Sequence, residues 1–286
     1  VAAAFPQVHL IANQDNRGFA AANNQAAQYA SGDWLLLLNP DTVVLNRAID
    51  RLVAFARATT AKDPACGIFG GRTVFADGRL NPTCAWGRPT LWSLWCLATG
   101  LTSVFRGCRL FNSEGMPHWK RNTVRQVDIV NGCFLLVRRS LWEQLGGFDP
   151  AFFMYGEEAD LCLRARQRGV KCLICPDATI IHHGGASDLL HARKKVRLMR
   201  AKAQLFQRHW SQQAYRLGLW LLDLWAVVRV VVFWCTSRLI KRHRATYETW
   251  RSVWQGRAAW HLSSGAGATV SCDSHAGAGR SENGPY

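Results

Sequence analysis

The chain has 286 residues, 49% of them hydrophobic and 19% charged, with a formal charge of +16 and a pI near 10.0. That apolar content supports one large core or two modest ones and excludes a disordered or fibrous protein. The positive charge calls for a polyanionic partner, and nucleic acid, a phospholipid surface and a diphosphate-bearing substrate would each satisfy it.

The chain opens on an Ala-rich stretch and a strand-like run at residues 8–11, as if in mid-domain. A polar turn at residues 13–18 precedes an expected helix over 20–30, which Ser31, Gly32 and Asp33 stop. Trp34 to Leu38 reads as a fully buried parallel strand ending at Asn39, Pro40 and Asp41. Helical spacing over 48–58 and a strand over 66–74 continue the alternation, so the expected fold is α/β, with an open, mainly parallel sheet. Ligands of such sheets bind beyond the carboxyl ends of the strands, where Asn39 and Asp41 should sit.

Residues 77–126, rich in Trp, Gly, Pro and Arg, give no assignable pattern. A strand is expected over 128–137, and a short helix over 139–145 closed by Gly146 and Gly147. An aromatic turn over 148–156 leads to a helix over 157–168, followed by two short strands around Pro176 within 170–182.

Ten cysteines would form a disulfide framework only in a secreted protein, and no signal peptide opens the sequence, so they are read as reduced. Cys172 and Cys175 form a lone CxxC that reads as core thiols rather than a zinc or redox site.

Between Asp188 and Arg257 fifteen Lys or Arg stand against three Asp or Glu. The strongly apolar stretch 217–240 is interrupted by Asp223 and Arg229, which favours an interfacial helix pair over a simple membrane span. The expected division is a catalytic domain over 1–187, basic amphipathic helices over 188–262 and a disordered tail over 263–286.

Three clusters carry chemistry. Asp41 at a strand end suits a hard cation bridged to a diphosphate, or else an ordinary turn aspartate. Glu157, Glu158 and Asp160 begin a helix whose dipole favours ionised carboxylates, and the aromatic run 152–155 beside them can tune one into a general base. The bland alternative is a solvated acidic first turn. His182 and His183 end an apolar strand; adjacent side chains diverge, so at most one is a ligand, and a purely structural role remains open.

Taken in order, Asn16-Arg-Gly-Phe-Ala-Ala-Ala-Asn-Asn24, Leu35-Leu-Leu-Leu-Asn-Pro-Asp-Thr42, Asn131-Gly-Cys-Phe-Leu-Leu-Val-Arg-Arg139, the run Gly146 to Arg164 and His182-His-Gly-Gly-Ala-Ser187 resemble the rhamnosyltransferase-like branch of the family-2 glycosyltransferases, over residues 8–210. The resemblance implies a GT-A fold and an inverting, metal-dependent transfer of a rhamnose-like sugar from a nucleotide-sugar donor. Asn39-Pro40-Asp41 would replace the usual DXD motif, with Asp41 and His182 as ligands of Mn²⁺ or Mg²⁺. Glu158 falls in the slot of the catalytic base, with Glu157 and Asp160 orienting the base or acceptor. Asn16, Gly18 and Asn24 resemble the donor-side turn, where glycine lets the backbone approach a nucleotide.

Family members begin with a strand, a helix and a second strand ending in an Asp-containing motif. None precedes Val1, so an N-terminally truncated domain is expected. The acceptor implied is a lipid-linked or polysaccharide glycan of cell-envelope synthesis, at the cytoplasmic face of a membrane. The rival from another class is an inactive module that binds glycans or lipid headgroups. Nucleic acid is not expected as a partner, because Trp210, Trp220, Trp225 and Trp234 fit a membrane interface better than a base-stacking groove.

Overall fold

The structure is a computed structural model that describes residues 1–183 and 191–261. The expected tail, and the Gly184 to Ser187 part of the histidine motif, lie outside the described residues.

In chain order the first half contains α1 (Gly18–Ala27), β1 (Trp34–Leu38), β2 (Thr42–Val44), α2 (Ala48–Lys62), β3 (Cys66–Val74), β4 (Leu80–Asn81), β5 (Ala85–Trp86), α3 (Leu91–Thr99) and α4 (Leu101–Val104). Then follow β6 (Arg125–Val127), β7 (Ile129–Val130), β8 (Phe134–Arg138), α5 (Arg139–Leu145), α6 (Glu157–Gln167) and β9 (Lys171–His182). The chain ends its described part in α7 (His191–His209), α8 (Gln212–Ser237), α9 (His243–Gln255) and α10 (Ala258–His261).

The strands form one sheet in the order β1-β8-β3-β9-β2, with β4 added to β3 and β6 to β9, while β5 and β7 make a separate ribbon. The sheet is α/β but mixed rather than mainly parallel. β1, β3 and β9 do run in one direction, as helix–strand alternation demands. β8 enters between β1 and β3 in the opposite sense, leaving β3–β9 as the parallel pair among the described residues. Alternation fixes the direction of successive strands but not which later strand slots between them. β1 is accordingly an antiparallel edge strand, with Leu35 and Leu37 buried and Leu38 half exposed.

Two other expectations change. Residues 8–11 form no strand and Val8 and Leu10 lie exposed, since a strand needs a neighbour to take its backbone hydrogen bonds. β9 is a single strand whose register against β3 shifts between Gly71 and Arg72, with Pro176 inside the irregular stretch, where a missing N–H is tolerated.

Helix α2 covers one face of the sheet through Ala48, Leu52 and Ala56, packed among Phe69, Leu136 and Ile180. The other face is covered by α1, α5 and α6, where Leu141, Leu145, Phe148 and Leu161 meet Leu35, Ile68, Leu135 and Ile174. Cys172 is a buried thiol in this core and Cys175 one in the core under α2, as the CxxC reading expects.

The unassigned stretch is organised by Arg121. Its guanidinium donates to the carbonyls of Trp119 (2.6 Å), Gly115 (3.0 Å), Met116 (3.1 Å) and Pro82 (3.2 Å) and sits over the Trp119 ring. A buried cation met by several carbonyl dipoles replaces regular secondary structure as the organiser of this loop.

The C-terminal helices bury a core of their own, with Met199, Phe206, Leu222, Trp250, Val253 and Trp260, and α3 joins it through Leu94. Segment 91–99 thus packs with helices on the far side of the expected 187/188 boundary. Asp223 and Arg229 turn inward. Asp223 accepts from Trp260 Nε1 at 3.0 Å, while Arg229 Nη2 donates to Leu97 O at 3.4 Å and contacts Ser103 Oγ at 3.3 Å. Among the described residues α8 is the one helix long and apolar enough to cross a membrane.

Candidate active site

The candidate site lies at the edge of the sheet where β1, β3 and β9 end and β8 begins. Asn39 N donates to Cys133 O at 3.0 Å, and Cys133 N donates to Asn131 Oδ1 at 2.8 Å, which ties the end of β1 to the turn before β8. Pairing of Thr42 with His182 brings β9 back to the same place. His182 Nε2 then lies 3.4 Å from Asp41 Oδ1 and 3.5 Å from Asn39 Nδ2. His183 is exposed, and its backbone N–H donates to Asp41 O at 3.0 Å.

Glu158 reaches this edge from α6. A side-chain carbon added to Gly132 would lie 3.6 Å from Glu158 Cβ, an ordinary contact distance, so Glu158 stands beside the turn before β8. The Cys133 thiol is pushed up to about 12, first by burial and then by charges that include both Glu158 and Asp41. The base candidate and the metal-ligand candidate therefore flank one three-residue turn.

The acidic helix start divides in two. Glu157 is almost fully buried, and neither Glu157 Oε2 nor Glu158 Oε2 has a hydrogen-bond partner among the described residues. Burial, and then the Glu158 charge, push the Glu157 carboxyl up to about 8. Burial also raises Glu158, against the opposing pull of first-turn amides. The expected helix-dipole preference for ionised carboxylates is thus outweighed by desolvation.

Asp160 faces the other way with its side chain fully buried. It accepts from Arg164 Nε at 2.7 Å and lies 2.9 Å from His209 Nε2. Burial pushes its carboxyl up, but the His209 hydrogen bond and the Arg164 charge outweigh that and hold it below the usual carboxylate range. Asp160 fastens α7 to α6 rather than facing the cleft.

The three donor-side residues also have partners within the protein. Asn16 Oδ1 accepts from Gly18 N at 3.0 Å. Gly18, at φ +78°, allows close approach of Phe153, whose carbonyl oxygen would lie 2.2 Å from any Cβ placed there. Asn24 donates to Phe148 O at 2.7 Å and accepts from Phe148 N at 2.9 Å. What the glycine admits is the aromatic turn's own backbone.

No group of three or more His, Cys, Asp or Glu among the described residues could hold a metal ion. Asp41 and His182 nevertheless fit a cation that draws its remaining ligands from a diphosphate. Two ligands of one octahedral ion at about 2.1 Å lie roughly 3 Å apart, and Asn39 Oδ1 beside them is buried without a hydrogen-bond partner. The sequence reading missed Arg72. It follows Gly70 and Gly71 at the same end of β3, and its Nε is sealed from solvent with no partner among the described residues. A charge in an otherwise apolar strand was the available signal.

Comparison with known proteins agrees with this architecture. The chain is 28% identical over 203 residues to N-acetylglucosaminyl-diphospho-decaprenol L-rhamnosyltransferase of Mycobacterium tuberculosis, covering 63% of this chain and 60% of that protein. It is 30% identical over 175 residues to the rhamnosyltransferase WbbL of Escherichia coli K12, covering 58% and 61%. It is 31% identical over 177 residues to the O-antigen biosynthesis protein RfbC of Myxococcus xanthus, covering 59% of this chain and 12% of that one. The chain thus spans about 60% of the length of the two rhamnosyltransferases. A solved mannosyltransferase from Pyrobaculum calidifontis, in complex with GDP-Man and Mn²⁺, superposes with TM-score 0.50 at 16% identity over 92% of this chain and 73% of its own. That likeness bears on the fold alone, which is of the GT-A type. The model for Glycosyltransferase like family 2 matches residues 1–202, and the chain belongs to that family.

Proposed function

We propose that this chain transfers a rhamnose-like sugar from a nucleotide-sugar donor to a lipid-linked or polysaccharide acceptor, in one inverting, metal-dependent displacement. The observation that carries the reading is the convergence of Asp41, His182 and Glu158 on the turn before β8. Asp41 and His182 would hold Mn²⁺ or Mg²⁺, which when bound neutralises charge on the diphosphate leaving group. Arg72, opposite Thr179 of β9, adds a cation toward this end of the sheet.

Glu158 takes the proton of the acceptor hydroxyl. Burial raises its proton affinity, the direction a general base needs. Glu157, buried beside it, keeps charge off the neighbouring carboxyl when protonated, so Glu158 can ionise. Work on a lipid-linked acceptor fits a position at the cytoplasmic face of a membrane, for which the notable stretches are the basic 191–202 and the apolar 217–240.

The test is transfer from a nucleotide rhamnose donor to a polyprenyl-diphosphate saccharide, with Mn²⁺ and with chelator. Glu158→Gln should lower turnover by about 10²-fold or more while leaving donor binding intact. Turnover lost in Glu157→Gln but retained in Glu158→Gln would move the base by one residue. Metal-independent transfer would remove the proposed role of Asp41 and His182.

A further inference from the structure

The basic helix α7 engages part of its cations within the protein, while Arg193 and Arg200 are exposed. Lys202 pairs with Glu114 at 3.5 Å, Arg208 with Asp149, and Lys194 and Lys195 sit over the rings of Tyr155 and Trp250. The exposed apolar surface lies elsewhere. On α8, Leu217, Trp220, Val231 and Trp234 recur at spacings that keep one face of a helix, and each is 45% exposed or more.

A second part of this surface comes from the stretch whose sequence shows no pattern. Val104 is 74% exposed and Leu110 60%, with Trp92, Trp95 and Phe105 also exposed. These residues belong to one structural unit. Trp92 Nε1 donates to Leu110 O at 2.7 Å, and the Phe105 and Phe111 rings lie 5.0 Å apart. Arg229 of α8 joins this unit by its contacts to Leu97 O and Ser103 Oγ, one turn before Val232.

The rim carries one sign of charge. Arg106 and Arg109 are exposed beside α4, and Arg238, Lys241 and Arg242 are exposed between α8 and α9, with Arg238 stacked on Trp234 at 3.9 Å. No acidic residue occurs from Thr99 to Ser113 or from Leu224 to Tyr247. Tryptophans and arginines around an apolar patch are the pattern of an interfacial binding face. A second copy of the chain would bring like charges together across the same patch. Insertion of α8 as a spanning helix would break the Asp223 and Arg229 contacts that hold it in the bundle.

We propose that α3, α4 and the C-terminal half of α8 form a composite surface that docks on an anionic lipid bilayer. The inference deepens the reading of a lipid-linked acceptor and rests on it. α3–α4 and α8 contribute the apolar contact, and the arginine rim contributes attraction to anionic headgroups.

The test is flotation of the whole chain with phosphatidylglycerol-containing and with phosphatidylcholine vesicles, at low and high salt. The wild type should prefer anionic vesicles, salt should weaken the binding without abolishing it, and alkaline carbonate should extract the protein. Val104→Ser with Phe105→Ser, and separately Val231→Ser with Trp234→Ser, should each lower the bound fraction by about tenfold or more. Arg106→Glu with Arg109→Glu should remove the preference for anionic lipid; both positions are exposed, and among the described residues the side chain of Arg106 donates only to Ser103 O, at 3.1 Å. Lys194→Gln with Lys195→Gln should bind like the wild type. Binding unchanged in the α4 or rim variants, resistance to carbonate, or self-association that masks the patch by sedimentation velocity would overturn the proposal. Transfer to a short-chain, detergent-soluble acceptor should survive in all the surface variants, and its absence in the wild type would count against the transferase reading instead.

Discussion

The sheet edge around Asp41 and the junction around Asn24 and Asp160 use the same residue types, yet differ in how their polar atoms are satisfied. At the junction each side-chain oxygen of Asn24 and Asp160 has a protein partner. At the edge Asn39 Oδ1, Glu157 Oε2 and Glu158 Oε2 are buried without a hydrogen-bond partner among the described residues. A buried polar group without a partner costs free energy, so such a cluster marks where a ligand completes the structure. Partnered groups at the junction hold the scaffold that presents the others.

The sharpest way to break this contrast is to truncate each side. Asp160→Ala leaves Arg164 and the interior side of His209 facing a void, and should cost about 3–5 kcal/mol of stability, read by denaturant unfolding. Because the folded Asp160 carboxyl is held below its usual range, the stability it contributes is present above the unfolded value and is lost as pH falls through the folded one. A melt like that of the wild type would make Asp160 a site residue after all.

Asp41→Ala should do the reverse, lowering metal-dependent turnover by more than about 100-fold, roughly 2.7 kcal/mol, with little change in unfolding. Next in size, Asn24→Ala should lose about 1–3 kcal/mol because both hydrogen bonds to Phe148 go. Donor affinity, measured by calorimetry, should stay unchanged; weakened donor binding at full stability would return Asn24 to the donor site. At Glu157 the expectation is a pH slope rather than a fixed loss. Between the usual value of 4.5 and about 8 the folded protein holds a proton that the unfolded chain has released, so stability falls as pH rises through that window. Glu157→Gln should flatten the change in melting temperature between pH 5 and 8, and an unaltered slope would show the carboxyl is not protonated there.

Much of this was legible in the sequence, for physical reasons. β3 and the helix over 139–145 match their expected bounds because apolar runs between turn residues leave few alternatives. Asp41 and His182 could be placed together because both end strands of one direction. The contacts of Gly18 and Asn24 inside the protein could not be read, since a glycine that admits a nucleotide and one that admits Phe153 look alike in sequence. The direction of Asp160 was hidden for the same reason, its partner His209 lying 49 residues further on. Arg121 escaped notice because a hub of carbonyls leaves no periodic trace.

The packing of α3 with helices beyond residue 191 has a consequence during synthesis. Trp92, Leu94 and Trp95 leave the ribosome long before the partners of Leu94, Phe206 and Leu222 among them, have been translated. At about 5–20 residues per second that interval is on the order of ten seconds. The central strand β3 waits similarly for β9. A nascent chain halted near residue 180 would therefore display an apolar segment with nothing to cover it, a natural handle for a chaperone or for early capture at the bilayer.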